Sequence, residues 1–178
     1  MEQIMDIIKK RMSIRAYKDK PLPQDVIDSI LDAARYAPSA RNLQELEYKV
    51  ITNKAFSKKL SDGIANALKQ EGPSMKAPPV RPHFFYAAPL LIIITAPRDN
   101  AWGYSDAALA VQNIMLYAAS IDLGTCFIGM SKFIEKDAGL LKELHISRDR
   151  QIVAAVVCGY PDEQPAPKEK KMNAEFFK

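Results

Sequence analysis

The chain has 178 residues, 48% of them hydrophobic, which predicts one domain, spanning 1–178, with a sizeable core of its own. A net charge of +4, with basic residues spread among acids, argues against a nucleic-acid partner and suits a small anionic ligand. Two distant cysteines without a CxxC pair predict a reducing, cytoplasmic environment and no metal site.

The first half of the chain predicts three helices and one strand. Apolar residues recur at helical spacing over 4–12, 24–37 and 56–68. Between the second and third helices, alternation over 46–51 predicts a strand with one better-buried face. Four prolines within 72–82 exclude a helix interior and a central strand, so that segment is predicted to be a loop.

The centre of the chain predicts a buried strand followed by an unusually apolar helix. The strand covers 90–95, and the apolar stretch around it is too short to cross a bilayer, so no membrane partner is predicted. The helix, 105–121, lacks a polar face and belongs in a core or at a subunit interface. Ser105 or Asp106 is expected to cap its start, and Gly124 to follow its end with positive φ.

The last third predicts a helix, a strand and a tail. The segment 125–129 is followed by a helix over 133–144 and a strand over 151–159. The tail to Phe177 lacks core periodicity and is expected to fray or to cross another surface. Three strands mixed with helices, without a βαβ rhythm, predict an α+β fold. The acidic N-terminal residues carry no long apolar core, so no signal peptide is predicted.

Two basic clusters lie at opposite ends of the chain: Arg11-Met12-Ser13-Ile14-Arg15 and Lys168-Glu169-Lys170-Lys171. Each alone is typical of solvated surface, but together they would supply converging donors for a phosphate. The sequence contains no glycine-rich phosphate loop. Neither of its two histidines has an obvious nucleophile partner, and both cysteines lie in apolar sequence. A bound cofactor is therefore expected to carry out any chemistry.

Five motifs, in order, resemble those of the FMN-dependent nitroreductase superfamily over nearly the whole chain. They are Arg11-x-Ser13-x-Arg15, Pro38-Ser39-Ala40-x-Asn42-x-Gln44, the helix from Asp106 through Asn113, Gly124 to Gly129, and Gly159-Tyr160-Pro161 followed by Lys168 and Lys170. The resemblance implies a mostly antiparallel sheet flanked by helices, assembled as an intertwined homodimer with FMN at the interface.

The resemblance also implies roles for the basic residues. Arg11 and Ser13 would hold the FMN phosphate, joined by Lys168 and Lys170 from the other end of the chain. Arg15 would reach the pyrimidine edge of the flavin, where a fixed cation stabilises the charge of the reduced ring.

Further residues implied by the resemblance surround the flavin ring: Pro38, Ser39, Asn42, Gln44, Ile128 and Gly129. The Pro-Ser part would come across the dimer interface, and the backbone N–H groups of Ile128 and Gly129 would approach flavin N5 and O4. Two positions depart from the family pattern: Met12 replaces a second basic residue, and Arg41 replaces a small one. Arg41 would place a cation at the mouth of the substrate site.

The family's mechanism has two steps. NADH or NADPH delivers hydride to FMN, and a flat electrophilic small molecule, such as a nitroaromatic or a quinone, then takes the electrons. Two alternatives stay open: an FMN-binding protein for storage or sensing, and a specialised member acting on one metabolite.

Overall fold

The fold of the chain, taken from a computed structural model that describes residues 4–70, 82–166 and 169–177, is built on an antiparallel sheet. In the described chain the sheet has four strands in the order β1-β2-β4-β3. The strands are β1 Glu47–Ile51, β2 Leu90–Pro97, β3 Gly124–Phe127 and β4 Arg150–Gly159. Three of them match predicted strands. The sequence pattern does not predict β3, because four residues beginning with glycine are too few to show a period of two.

Five α-helices and two 3₁₀ helices accompany the sheet in the described residues. They are α1 Ile4–Lys10, α2 Gln24–Arg35, α3 Lys54–Gln70, α4 Gly103–Ser120, α5 Ala138–Glu143, and the 3₁₀ helices Ala40–Asn42 and Gly129–Lys136. The single helix predicted over 133–144 is therefore two elements. Asp137 separates them, since its carboxylate accepts from the N–H groups of Gly139 and Leu140 and so caps α5.

The core lies on both faces of the sheet, which confirms the predicted α+β architecture. Alternate residues of β2 point in opposite directions, so Leu91 and Ile93 pack against α3 and α5, whereas Ile92 and Ile94 pack against α2 and α4. Because helices cover both faces, β2 and β4 are buried along nearly their whole length. This explains why both strands read as uninterrupted apolar runs although their pairing is antiparallel.

Both ends of α4 differ from the prediction. The helix begins at Gly103, so Ser105 and Asp106 lie in its first turn and neither is the cap. After its last residue, Asp122 adopts the left-handed conformation (φ 60°) that had been expected of Gly124. Gly124 starts β3 instead, where a Cβ atom would lie 2.7 Å from Ile14 Cγ1. The glycine is needed there for close packing and not for its φ angle.

Several apolar side chains remain uncovered in the single chain. None of the residues of α1 is buried, and Ile4 of that helix is 69% exposed. In the tail, Phe176 and Phe177 are 85% and 88% exposed. Among the described residues, no helix combines the length and apolarity that a membrane crossing requires.

Candidate functional site

The segment that carries the N-terminal motif, 11–15, is joined to two later parts of the chain by backbone hydrogen bonds. Ile14 N–H donates to Thr125 O in β3, and Lys18 N–H donates to Tyr160 O just after β4, both at 2.9 Å. Asp162 N–H donates back to Ala16 O at 2.9 Å. The structure thus brings together the N-terminal motif, the start of the 124–129 motif and the Gly159-Tyr160-Pro161 motif.

A cavity of about 350 Å³ opens beside this junction. Its lining comes from the N-terminal motif, the end of α4, the start of β3 and 161–165, and includes Arg11, Ala119, Asp122, Thr125 and Glu163. The two acids are already engaged: Asp122 pairs with Lys10 at 3.0 Å, and the Glu163 carboxylate accepts from the Arg15 N–H. Within the described residues Arg11 has no side-chain partner, so its guanidinium is available to an anion.

The other two residues of the motif lie along β3. Ser13 is half-buried and forms a parallel bridge with Thr125. Arg15 is exposed, and its Nη1 lies 3.5 Å from Ser13 O. The pKa of Arg15 is raised, chiefly by its electrostatic interaction with Cys126, with a further contribution from a hydrogen bond with Tyr86. Sequence reasoning missed Tyr86, whose left-handed backbone (φ 56°) has no signal in a non-glycine residue.

The second basic cluster is not seen beside the first. Lys168 lies outside the described residues. Lys170 is exposed in the extended tail 169–177, and no hydrogen bond links its side chain to the rest of the described chain. The contribution of both lysines to an anion site stays a prediction.

The Pro-Ser motif, 38–44, forms a tight turn around the 3₁₀ helix Ala40–Asn42. Arg41, Asn42 and Gln44 have left-handed backbones, with φ of 53°, 55° and 55°. Ser39 Oγ accepts from Gln44 N–H at 3.1 Å, and Gln44 Nε2 donates to Asn42 Oδ1 at 2.9 Å. These bonds leave the Ser39 hydroxyl proton and the Asn42 amide group able to donate to a ligand. Pro38, Asn42 and Gln44 are all exposed.

The Pro-Ser motif and the N-terminal motif lie at opposite ends of α4. Ala40 N–H donates to Asp106 Oδ1 in the first turn of that helix, whereas Ala119 in its last turn lines the cavity beside Arg11. Thirteen positions separate Asp106 from Ala119, about 20 Å at 1.5 Å per residue. One chain therefore does not bring the two motifs into a single small-molecule site.

The last predicted contact concerns the turn after β3. Ile128 is buried, and its N–H already donates to Ala155 O at 2.8 Å, so its place beside the flavin stays a prediction. Gly129 is exposed at the first position of the 3₁₀ helix, and a Cβ atom there would meet nothing within 4 Å. Since no intrahelical acceptor exists at a helix start, the Gly129 N–H is the donor that remains.

Comparison with known proteins adds an independent line of evidence. A family model described as the nitroreductase family matches residues 8–160. A protein of Methanothermobacter thermautotrophicus, provisionally named an NADH dehydrogenase/NAD(P)H nitroreductase, is 27% identical over 168 residues, covering 93% of this chain and 81% of that protein. The nitrobenzene nitroreductase of Ectopseudomonas oleovorans is 26% identical over 202 residues, covering 89% of this chain and 87% of its own length.

The fold agrees with this match. A solved nitroreductase of Bacteroides fragilis with bound FMN superposes with a TM-score of 0.83 and 26% identity, covering 100% of this chain and 98% of that one. The similarity therefore extends to the arrangement of helices around the sheet.

Proposed function

Because this chain belongs to the nitroreductase family, a family of oxidoreductases, we propose that it is an FMN-dependent enzyme that passes electrons from NADH or NADPH to a flat, electrophilic small molecule. When bound, FMN would supply the redox chemistry by accepting a hydride at N5 and delivering it to the acceptor. The observation that carries the proposal is the Arg11 guanidinium, which has no side-chain partner among the described residues and lies beside a cavity at the junction of three chain segments.

The donors at this junction suit a phosphate. Arg11 offers a planar fork without a competing carboxylate, because Asp122 and Glu163 are engaged by Lys10 and by the Arg15 backbone. Ser13, two positions after Arg11 in the same motif, would add a hydroxyl donor. The backbone bonds around Ile14 fix these positions before any ligand arrives, so little ordering is lost on binding.

Two residues near β3 suit the flavin ring. Arg15 remains cationic at every working pH, because a guanidinium does not lose its proton in proteins. A fixed cation at the pyrimidine edge would stabilise negative charge on the reduced ring. Gly129, at the start of the 3₁₀ helix after β3, has a backbone N–H without an intrahelical acceptor, and a Cβ atom there would meet nothing within 4 Å. None of these roles requires a side chain that transfers a proton.

We further infer that the active form is a homodimer in which each site takes the N-terminal motif from one chain and the Pro-Ser motif from the other. The separation of about 20 Å along α4 supports this inference, because a symmetric pair can bring together two motifs that one chain keeps apart. The uncovered side chains of α1 and of the tail provide apolar surface for such an interface.

The absorbance spectrum of the purified protein and its reaction with NADH or NADPH test the proposal. We expect a bound-flavin spectrum with about one FMN per chain, and bleaching within seconds on stopped-flow mixing. A protein that takes up FMN but is not bleached by either nucleotide would be a binding protein without turnover. A protein unable to take up FMN would overturn the proposed function.

A further inference from the structure

We propose that Asp106 and Arg150 are positioning residues that clamp the Pro-Ser motif at its two ends and so set the geometry of the flavin ring contacts. The inference rests on the proposed function, since it takes the Pro-Ser motif to line the flavin. Neither residue would touch the cofactor. Each would act through the backbone of the segment between Ala40 and Glu45.

Asp106 holds the first end. Its side chain is 4% exposed, and Oδ1 accepts from Ala40 N–H at 3.0 Å across 66 positions of sequence. Burying a carboxylate is costly unless its oxygens are bonded, so its presence in the first turn of α4 calls for a specific acceptor role. The partial positive charge at a helix N-terminus also favours a carboxylate in this turn.

Arg150 holds the second end from the start of β4. Its Nη2 donates to Glu45 O at 2.7 Å and to Thr95 O at 3.0 Å, and its Nε donates to Thr95 Oγ1 at 3.1 Å. The Arg150 guanidinium therefore joins Glu45, the residue after Gln44, to Thr95 in β2 and so connects the Pro-Ser motif to the sheet. Asn100 adds a bond from its Nδ2 to Glu45 Oε2 at 3.0 Å.

The backbone between the two clamps explains why they are needed. Arg41, Asn42 and Gln44 have left-handed backbones, a conformation that is unfavourable for non-glycine residues and persists only where the surroundings hold it. Local bonds alone, such as Gln44 N–H to Ser39 Oγ, span only this turn and do not orient it against α4 or the sheet. Asp106 and Arg150 supply that orientation from outside.

The experiment compares four single variants with the wild-type holoenzyme: Asp106→Ala, Asp106→Asn, Arg150→Lys and the control Arg98→Met. Arg150→Lys and Arg98→Met are each also combined with Asp106→Ala. Asn at 106 retains an oxygen that can accept from Ala40 N–H, whereas Ala does not. Arg98 bonds to Glu135 and Arg148 O and has no bond to the Pro-Ser motif. Two readouts are used: hydrogen exchange of the Ala40 amide in the FMN-free protein, and kcat/KM for nitrobenzene in the loaded enzyme.

For Asp106→Ala we expect at least tenfold loss of protection at the Ala40 amide and about tenfold lower kcat/KM, with recovery of both in Asp106→Asn. Arg150→Lys should lower kcat/KM by several-fold, and its combination with Asp106→Ala should have less than the product of the two effects, because both hold one segment. Arg98→Met should combine multiplicatively with Asp106→Ala.

Unchanged protection at Ala40 in Asp106→Ala would overturn the clamp, as would equal losses in the Ala and Asn variants. If Asp106→Ala does not fold, the clamp is tested with Arg150→Lys alone. A kcat/KM equal to that of the wild type in Arg150→Lys would overturn the clamp. A wild-type protein that shows Ala40 protection but takes up no FMN would refute the proposed function and not the clamp itself.

Discussion

The N-terminal motif and the Pro-Ser motif, which together would form one flavin site, are held in place by different kinds of contact. The N-terminal motif is bonded to β3 and to the segment after β4 through backbone atoms of Ile14, Ala16 and Lys18. The Pro-Ser motif is oriented by side chains distant in sequence, Asp106 and Arg150.

Because of this difference, substitutions in the N-terminal motif should affect cofactor binding, whereas substitutions around the Pro-Ser motif should affect how that motif is oriented. Backbone hydrogen bonds survive most substitutions, so changes in the N-terminal motif should remove ligand contacts and leave the local fold intact. Changes in or behind the Pro-Ser motif alter a left-handed turn that depends on external side chains. Mutations at the two motifs should therefore differ in what they impair: cofactor binding at the N-terminal motif, and the geometry of the ring contacts at the Pro-Ser motif.

Complementation between two inactive chains tests whether the motifs meet across an interface. One chain carries Arg11→Ala and Ser13→Ala, and the other carries Ser39→Ala, Asn42→Ala and Gln44→Ala. Each alone should retain only a small part of the wild-type activity. After co-refolding at equal amounts, half of the dimers should be mixed, each with one intact site, which restores about one quarter of wild-type activity. Activity equal to the mean of the two parents would place both motifs of a site in one chain.

Arg11→Ala tests the phosphate role of the N-terminal motif alone. Loss of one charge-assisted hydrogen bond pair should raise the Kd for FMN by about 10-fold to 100-fold, measured by quenching of flavin fluorescence. Thermal stability of the FMN-free protein should not change, because the Arg11 side chain has no partner in the described chain. Arg148→Ala, an exposed arginine outside both motifs, is the control and should leave the Kd unchanged.

Arg15→Met should alter the reduction potential of the flavin much more than it alters FMN binding. Arg15 donates to the Glu163 carboxylate through its backbone N–H, so the substitution removes the cation and its side-chain contacts with Ser13 O and Tyr86 but keeps this bond. We expect a lower flavin reduction potential and reduction by NADH slowed about tenfold, while the Kd for FMN changes by less than about threefold. An unchanged potential in FMN-loaded Arg15→Met would refute the tuning role.

Some elements of the fold and of the site could be predicted from the sequence, and others could not. The strands β2 and β4 and the helix α4 were predictable, because long apolar runs report burial directly. β3 was not, since its strand character comes from pairing with β4 and not from its own four residues. In the site, the motif residues were identified through their resemblance to a family.

The residues that orient the Pro-Ser motif could not be predicted from the sequence. The role of Asp106 depends on an amide 66 positions away, and that of Arg150 on a carbonyl 105 positions away. No local pattern encodes such contacts. The sequence pattern therefore predicts only a helix cap at Ser105 or Asp106 and no role for Arg150. The engaged N–H of Ile128 was missed for the same reason, because its acceptor Ala155 lies on a neighbouring strand.

Arg41→Ala should give the smallest change and the most selective one. The Arg41 side chain is exposed between Ser39 and Asn42 and has no partner in the part of the chain that the structure describes. If the Pro-Ser motif borders the acceptor site, this cation should favour acceptors that carry a negative charge. An exposed ion pair contributes about 0.2–1 kcal/mol, so kcat/KM for 4-nitrobenzoate should fall by up to about fivefold in Arg41→Ala, while that for nitrobenzene stays constant.

Salt dependence sharpens this last test. The screening length falls from about 30 Å at 0.01 M ionic strength to about 8 Å at 0.15 M, so the preference of the wild type for 4-nitrobenzoate over nitrobenzene should shrink as salt is added. Arg41→Ala should show no such dependence. Arg35→Ala serves as the control, because Arg35 is already paired with Asp32 in α2 and should behave like the wild type. A preference for the anionic acceptor that persists unchanged in Arg41→Ala would assign it to another cation, and Arg15, on the N-terminal motif of the facing chain, would then be the next residue to substitute.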